Sequence, residues 1–190
     1  GHIPGAILWP WREYLWDDTI RDFVNPADFA ALMERSGMGP NTMIVFYSNM
    51  CQFATYALWT CVRGGHPNLA VLNGGRTLWA KEGRPFTNDV PRYDKGHYPV
   101  RDVDESYRIR RDEILDGLGK PDRVILDART DDEYNGLRVK PLPGFDHGAE
   151  RKGHIPGAKH LYFRELLNEH DTFRTADELC QTFRSRGADS

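Results

Sequence analysis

Gly1-His2-Ile3-Pro4-Gly5-Ala6 recurs without change as Gly153-His154-Ile155-Pro156-Gly157-Ala158, an offset of 152 residues. A six-residue identity containing two glycines and a proline marks a duplicated unit rather than a coincidence. The likeness continues downstream. Ala27-Asp28 opens one helical pattern and Ala176-Asp177 opens another, at an offset of 149. Gly37 closes the first and Gly187 the second, at an offset of 150. Short loop insertions account for that drift, and a unit of roughly 150 residues follows.

The two copies are expected to be represented by different parts. After Gly37 the first copy runs on into Met43-Ile44-Val45-Phe46-Tyr47, an apolar run with strand character, whereas the second stops at Ser190. Conversely, Val124-Ile125-Leu126-Asp127 and the stretch to Lys152 precede the second hexapeptide, while the first copy begins at its hexapeptide. Each copy is therefore expected to be incomplete, to leave apolar sheet edges without partners, and to fold poorly in isolation.

Working outward, residues 26–36 read as an amphipathic helix with Phe29, Leu32 and Met33 on one face. A buried strand is predicted over 43–47, a loop over 48–51 and a helix over 52–63. A strand over 69–72, the turn Asn73-Gly74-Gly75 and a helix over 76–82 follow. Residues 84–104 carry several prolines and read as an interdomain linker. A helix over 108–118, a strand over 124–127 and a helix over 175–186 complete the reading. Strands alternating with helices predict an α/β fold with a parallel sheet flanked by helices. The predicted division is a first domain over 1–87, a linker over 88–104 and a second domain over 105–190.

Composition narrows the function classes. The chain has 39% apolar and 28% charged residues, five tryptophans and a formal charge of −3, an ordinary globular profile with no basic face for nucleic acid or an anionic membrane. No apolar run approaches the roughly 18 residues of a membrane span, and the N-terminal residues lack the layout of a secretory signal. Cys51, Cys61 and Cys180 are widely spaced, without a disulfide framework or zinc knuckle, so a cytoplasmic setting is expected. No His/Cys/Asp cluster has metal-ligand spacing, and no cofactor is called for.

The repeated hexapeptide resembles that of tandem rhodanese-family sulfurtransferases, which carry it in each domain. Asn73-Gly74-Gly75-Arg76, Trp79 and Glu82-Gly83-Arg84-Pro85 are similar to the close of that family's first domain. Leu126-Asp127-Ala128-Arg129 and Asp132-Glu133-Tyr134-Asn135-Gly136 are similar to the opening of its second. The resemblance spans nearly the whole chain and is greatest to thiosulfate or 3-mercaptopyruvate sulfurtransferases. It implies that a cysteine thiolate takes the outer sulfur of a small anionic donor, releasing sulfite when the donor is thiosulfate. The persulfide sulfur then passes to a thiol or cyanide. Such a nucleophile requires a lowered pKa, and its anion requires converging N–H donors, which a tight strand-to-helix loop provides.

In the family that cysteine directly follows the strand. Here Ser48 follows Tyr47, and Asn49, Met50, Cys51, Gln52 and Phe53 complete the loop. The first copy thus reads as pseudo-catalytic, and the repeat offset puts the working cysteine near position 198–200, beyond Ser190. The chain alone is expected to transfer little sulfur. Two other readings stay open: an inactive module that binds or regulates a partner, and Cys51 acting as the carrier in a variant loop.

The remaining candidates divide on chemistry. Cys61 lies in an apolar helical run and reads as core. Cys180 and Arg186 satisfy Cys-x5-Arg, yet the residues between them continue a helix and cannot wrap an anion. Arg129 follows a strand, where side chains enter the crevice of an α/β sheet. The resemblance implies that it holds the anionic donor, while the alternative is an ion pair with Asp132 or Glu133. His2 and His154 read as structural, hydrogen-bonding the loop backbone. Trp9, Trp11 and Trp16 are expected to pack against the partner domain.

Overall fold

A computed structural model describes residues 1–139 and 151–188; the expected end of the second domain at Ser190 lies outside them. The chain forms two units. The first comprises Gly1–Arg108 together with His170–Thr172, and the second comprises Ile109–Glu169 and Phe173–Ser190.

The repeated hexapeptide folds the same way in both. Pro4 supplies the fixed φ of a turn's second position and Gly5, at φ +81°, the left-handed third, while the Ala6 N–H closes the turn on the Ile3 carbonyl at 3.0 Å. Gly157 stands at φ +80° and Ala158 N–H bonds Ile155 O at 2.9 Å. A tyrosine ties down each copy. The Ile3 N–H donates to the Tyr47 hydroxyl at 3.0 Å, and the Tyr134 hydroxyl donates to Ala158 O at 2.8 Å.

In the first unit a short helix α1 (Trp11–Tyr14) leads into a hairpin of β1 (Trp16–Asp17) and β2 (Asp22–Phe23), then helix α2 (Pro26–Arg35). The Asn25 side chain caps α2 by accepting from Asp28 N–H at 3.0 Å, and Pro26 occupies the first turn, where no N–H is needed. The helix ends at Gly37 (φ +74°), where Met38 N–H bonds Met33 O and Gly37 N–H bonds Glu34 O. Strand β3 (Ile44–Phe46) pairs in parallel with β4 (Leu69–Val71) through the crossover helix α3 (Cys51–Arg63), and α4 (Gly75–Lys81) follows. Ile44 and Phe46 face the core with Phe29, Leu32, Met33, Ala54, Ala57 and Cys61. Val45 points the other way, 53% exposed.

Within this unit Trp9 lies against Phe46, and Trp11 against Trp16 and Tyr56. One expectation needs correction here. The stretch 88–104 carries no helix or strand but is a packed strap rather than a free connector. Tyr98 is buried between Phe29 and His66, its hydroxyl 3.0 Å from His66 Nδ1, and Asp104 N–H bonds Arg63 O. Gly96 lies so close to the Met38 backbone that a side chain there meets it.

Glu34 latches this strap to α2, taking Lys95 Nζ at 2.9 Å and Tyr98 N–H at 3.3 Å. The Lys95 bond first, and then the Tyr98 N–H, hold the Glu34 carboxyl below its ordinary value. A carboxyl lowered on folding adds stability above its unfolded pKa and loses it as pH falls through the folded value. Glu34→Gln is therefore expected to flatten the acid limb of the melting temperature below about pH 5. Melting curves of both proteins between about pH 3 and pH 7 check this; parallel curves would remove the latch.

The second unit contains α5 (Arg111–Gly117), β5 (Leu126–Asp127), α6 (Asp131–Tyr134), β6 (Lys159–His160) and α7 (Ala176–Ser185), with β5 and β6 parallel. Thr175 and Glu178 cap α7 reciprocally, and Gly187 (φ +78°) ends it with the same bond pattern as Gly37, from Ala188 N–H to Phe183 O. No described helix is long and apolar enough to cross a membrane.

Candidate functional site

The loop after β3 is organised by Ser48. Its hydroxyl donates to Met50 O at 2.5 Å and accepts the Ala54 N–H at 3.1 Å, so it ties the loop to the start of α3. The residue at the expected nucleophile position is thus committed to holding the loop. The turn Asn73-Gly74-Gly75 closes against it. Arg76 N–H bonds Ser48 O at 3.2 Å, and a β-carbon on Gly75 would stand 2.8 Å from that same oxygen. Gly74 adopts φ +83° and Gly75 φ +49°, conformations that glycine takes without strain. Ser48, Asn49, Cys51, Ala54, Val71, Leu72, Gly74, Gly75 and Asp171 line a small, shallow crevice.

Cys51 is the first residue of α3, half-buried in this crevice. Burial chiefly, and then the Asp171 carboxylate, pushes its thiol above the ordinary value. A sulfur nucleophile requires the opposite shift. Cys61 is fully buried in the core, and burial pushes its thiol up much further. Cys180 is exposed on α7. Arg186 donates to His160 O at 2.8 Å and pairs with Glu165 at 2.9 Å; Cys180 and Arg186 do not close an anion loop. Among the described residues no group of three His, Cys, Asp or Glu side chains could hold a metal ion.

Arg129 leaves β5 and turns back on it. Its guanidinium forks onto Asp127, with Nε at 2.9 Å from Oδ1 and one terminal nitrogen at 2.5 Å from Oδ2. The same terminal nitrogen donates to Gly153 O at 2.8 Å, at the start of the second hexapeptide. Its direct ion pair is thus with Asp127 rather than Asp132 or Glu133, although the Glu133 charge acts on it from further off; Glu133 accepts from Thr130 and completes the α6 cap. Burial would raise the Asp127 carboxyl, but the Arg129 bonds outweigh it and the group sits below its ordinary value. His154 stacks on Tyr134 at 3.9 Å and His160 on its other face at 4.6 Å, while His154 Nδ1 bonds Tyr134 O. The duplicated histidines thus bond loop backbone, His2 through Nδ1 to Ile3 O at 3.0 Å.

The same two hexapeptide-bearing units are what comparison with known proteins finds. A family model described as the rhodanese-like domain matches residues 1–82 and 110–186. The chain belongs to the rhodanese-like family. The rhodanese-like chain is 40% identical over 184 residues to the sulfur carrier protein TtuD of Thermus thermophilus, covering 94% of this chain and 64% of that protein. It is 39% identical over 182 residues to SseA of Mycobacterium tuberculosis, a candidate thiosulfate sulfurtransferase, covering 94% and 60%. It therefore spans less than two thirds of those relatives' length. Among solved structures it superimposes on SseA from Escherichia coli, a 3-mercaptopyruvate sulfotransferase of rhodanese fold, with a TM-score of 0.84 at 25% identity, covering all of this chain and 69% of that one.

Sequence reasoning singled out Arg129 but missed Asp127 and Gly153 as its partners. The available signal was the Asp-x-Arg spacing at the end of a strand, where a tight turn brings the second side chain back onto the first.

Proposed function

We propose that the protein is a sulfurtransferase working through a cysteine persulfide, with thiosulfate or 3-mercaptopyruvate as donor and a thiol or cyanide as acceptor. The thiolate attacks the outer sulfur of thiosulfate, the sulfur–sulfur bond breaks, and sulfite leaves with the electron pair. Cyanide then attacks the persulfide's outer sulfur, giving thiocyanate and returning the thiolate. The observation that carries the reading is the match of both copies to the rhodanese-like domain, in relatives named for sulfur carriage and thiosulfate sulfurtransfer.

Ser48 supports assigning the chemistry to the second copy, because a hydroxyl bound to Met50 O and the Ala54 N–H stands where the first copy would need a thiol. The working cysteine is then the residue that follows the second-copy strand, near position 198–200. Ser48 also favours the rival reading, an inactive module that binds a partner. Thiocyanate formation from thiosulfate and cyanide by the longer gene product distinguishes them. Turnover that disappears when the second-copy cysteine is replaced supports the enzyme; no turnover with either donor supports the binding module.

A further inference from the structure

We infer that Arg129 is a positioning residue that cancels the charge of Asp127 and clasps the second hexapeptide to β5, leaving recognition of the anionic donor to other groups. The inference rests on the sulfur-transfer reading and concerns the same site. Its basis is the way the guanidinium is used. Nε and one terminal nitrogen form the fork onto both Asp127 oxygens, and that terminal nitrogen also reaches Gly153 O. Arg129 N–H adds a further contact, to Asp127 Oδ1 at 3.1 Å. Its carbonyl accepts from His160 Nε2 at 2.8 Å, so the residue is held from both its backbone and its side chain.

The place matters as much as the bonds. Asp127 ends β5, and in an α/β sheet the carboxyl ends of the strands border the ligand crevice. A carboxylate there repels a donor such as thiosulfate unless something neutralises it. Asp127 is nearly buried, 10% exposed, so water screens its charge poorly. His160, whose other ring nitrogen lies 3.4 Å from Asp131, is the second group acting on it, and Arg129 dominates through direct bonds. A bidentate fork on an aspartate is the arrangement an arginine adopts when it neutralises a partner rather than awaiting an anion.

The test is a charge-removal series in the longer gene product, read as KM and kcat for thiosulfate with cyanide as acceptor. Arg129→Gln exposes the Asp127 charge and is expected to raise KM about tenfold with kcat changed far less. Asp127→Asn combined with Arg129→Gln removes both charges and is expected to return KM to within about twofold of the starting protein. A donor-binding arginine gives the opposite result, with the double variant as poor as the single, and that outcome overturns the inference. If Arg129→Gln does not fold, the double variant Asp127→Asn with Arg129→Gln decides alone: a KM within about twofold of the starting protein supports the inference, and one raised about tenfold overturns it. Absence of turnover in the unsubstituted protein would instead remove the sulfur-transfer reading. Amide exchange at Gly153 and His154, faster in Arg129→Gln than in the starting protein, reads the clasp independently of activity; unchanged exchange there overturns it.

Discussion

Serine at Cys51 and Cys180 combined with alanine at Cys61 is expected to leave thiosulfate–cyanide sulfur transfer by the longer gene product within about twofold, whereas serine at the second-copy loop cysteine lowers it by about a thousandfold or more. The difference follows from the environment of each thiol. Cys51 sits against Asp171 and is pushed toward its protonated form. Cys61 is sealed in the core and Cys180 lies on an exposed helix face with no anion loop around it. Alanine rather than serine at Cys61 avoids burying a further hydroxyl in the core. Steady-state rates of thiocyanate formation check the prediction, and a large loss on replacing Cys51 alone would return the chemistry to the first copy.

Met33→Ala is expected to destabilise the first unit by about 2–5 kcal/mol, the range for emptying a buried methionine site. Met33 is 0% exposed, and its carbonyl also closes the end of α2 on Met38. It belongs to the same buried cluster as Phe29, Leu32, Phe46 and Cys61 and as Tyr98 of the strap. Strap and helix should therefore loosen together. Chemical denaturation followed by tryptophan fluorescence measures the loss, since Trp9 and Trp11 pack against the same core. A change below about 1 kcal/mol would mean that the neighbours collapse into the space.

Much of this was legible in the residues, and the legible parts share a cause. The hexapeptide turn, the glycine ends of α2 and α7 and the parallel pair β3–β4 depend on local backbone preference or on apolar pattern, which a sequence displays directly. The hairpin of Trp16–Asp17 with Asp22–Phe23 and the two-residue β6 are too short for any periodicity to show. The strap was read as a linker because its prolines and polar residues suit one. Its attachment depends on Tyr98 meeting His66, 32 residues away, which only the tertiary fold brings about. At the site, the Ser48 departure was visible once the family resemblance said where a cysteine is expected after the strand. The partnership of Arg129 with Asp127 and Gly153 was not, because it depends on how the chain turns after β5.

Peptide mapping of sulfur added by thiosulfate tests the central claim most directly. The longer gene product, treated with thiosulfate and freed of excess donor, should carry its persulfide on the cysteine that follows the second-copy strand, with Cys51, Cys61 and Cys180 unmodified. The 190-residue chain, treated alongside, should gain no sulfur at those three positions. A persulfide mapped to Cys51 in either protein would contradict the account, because it would make the first-copy crevice the working site despite its raised thiol and its committed Ser48.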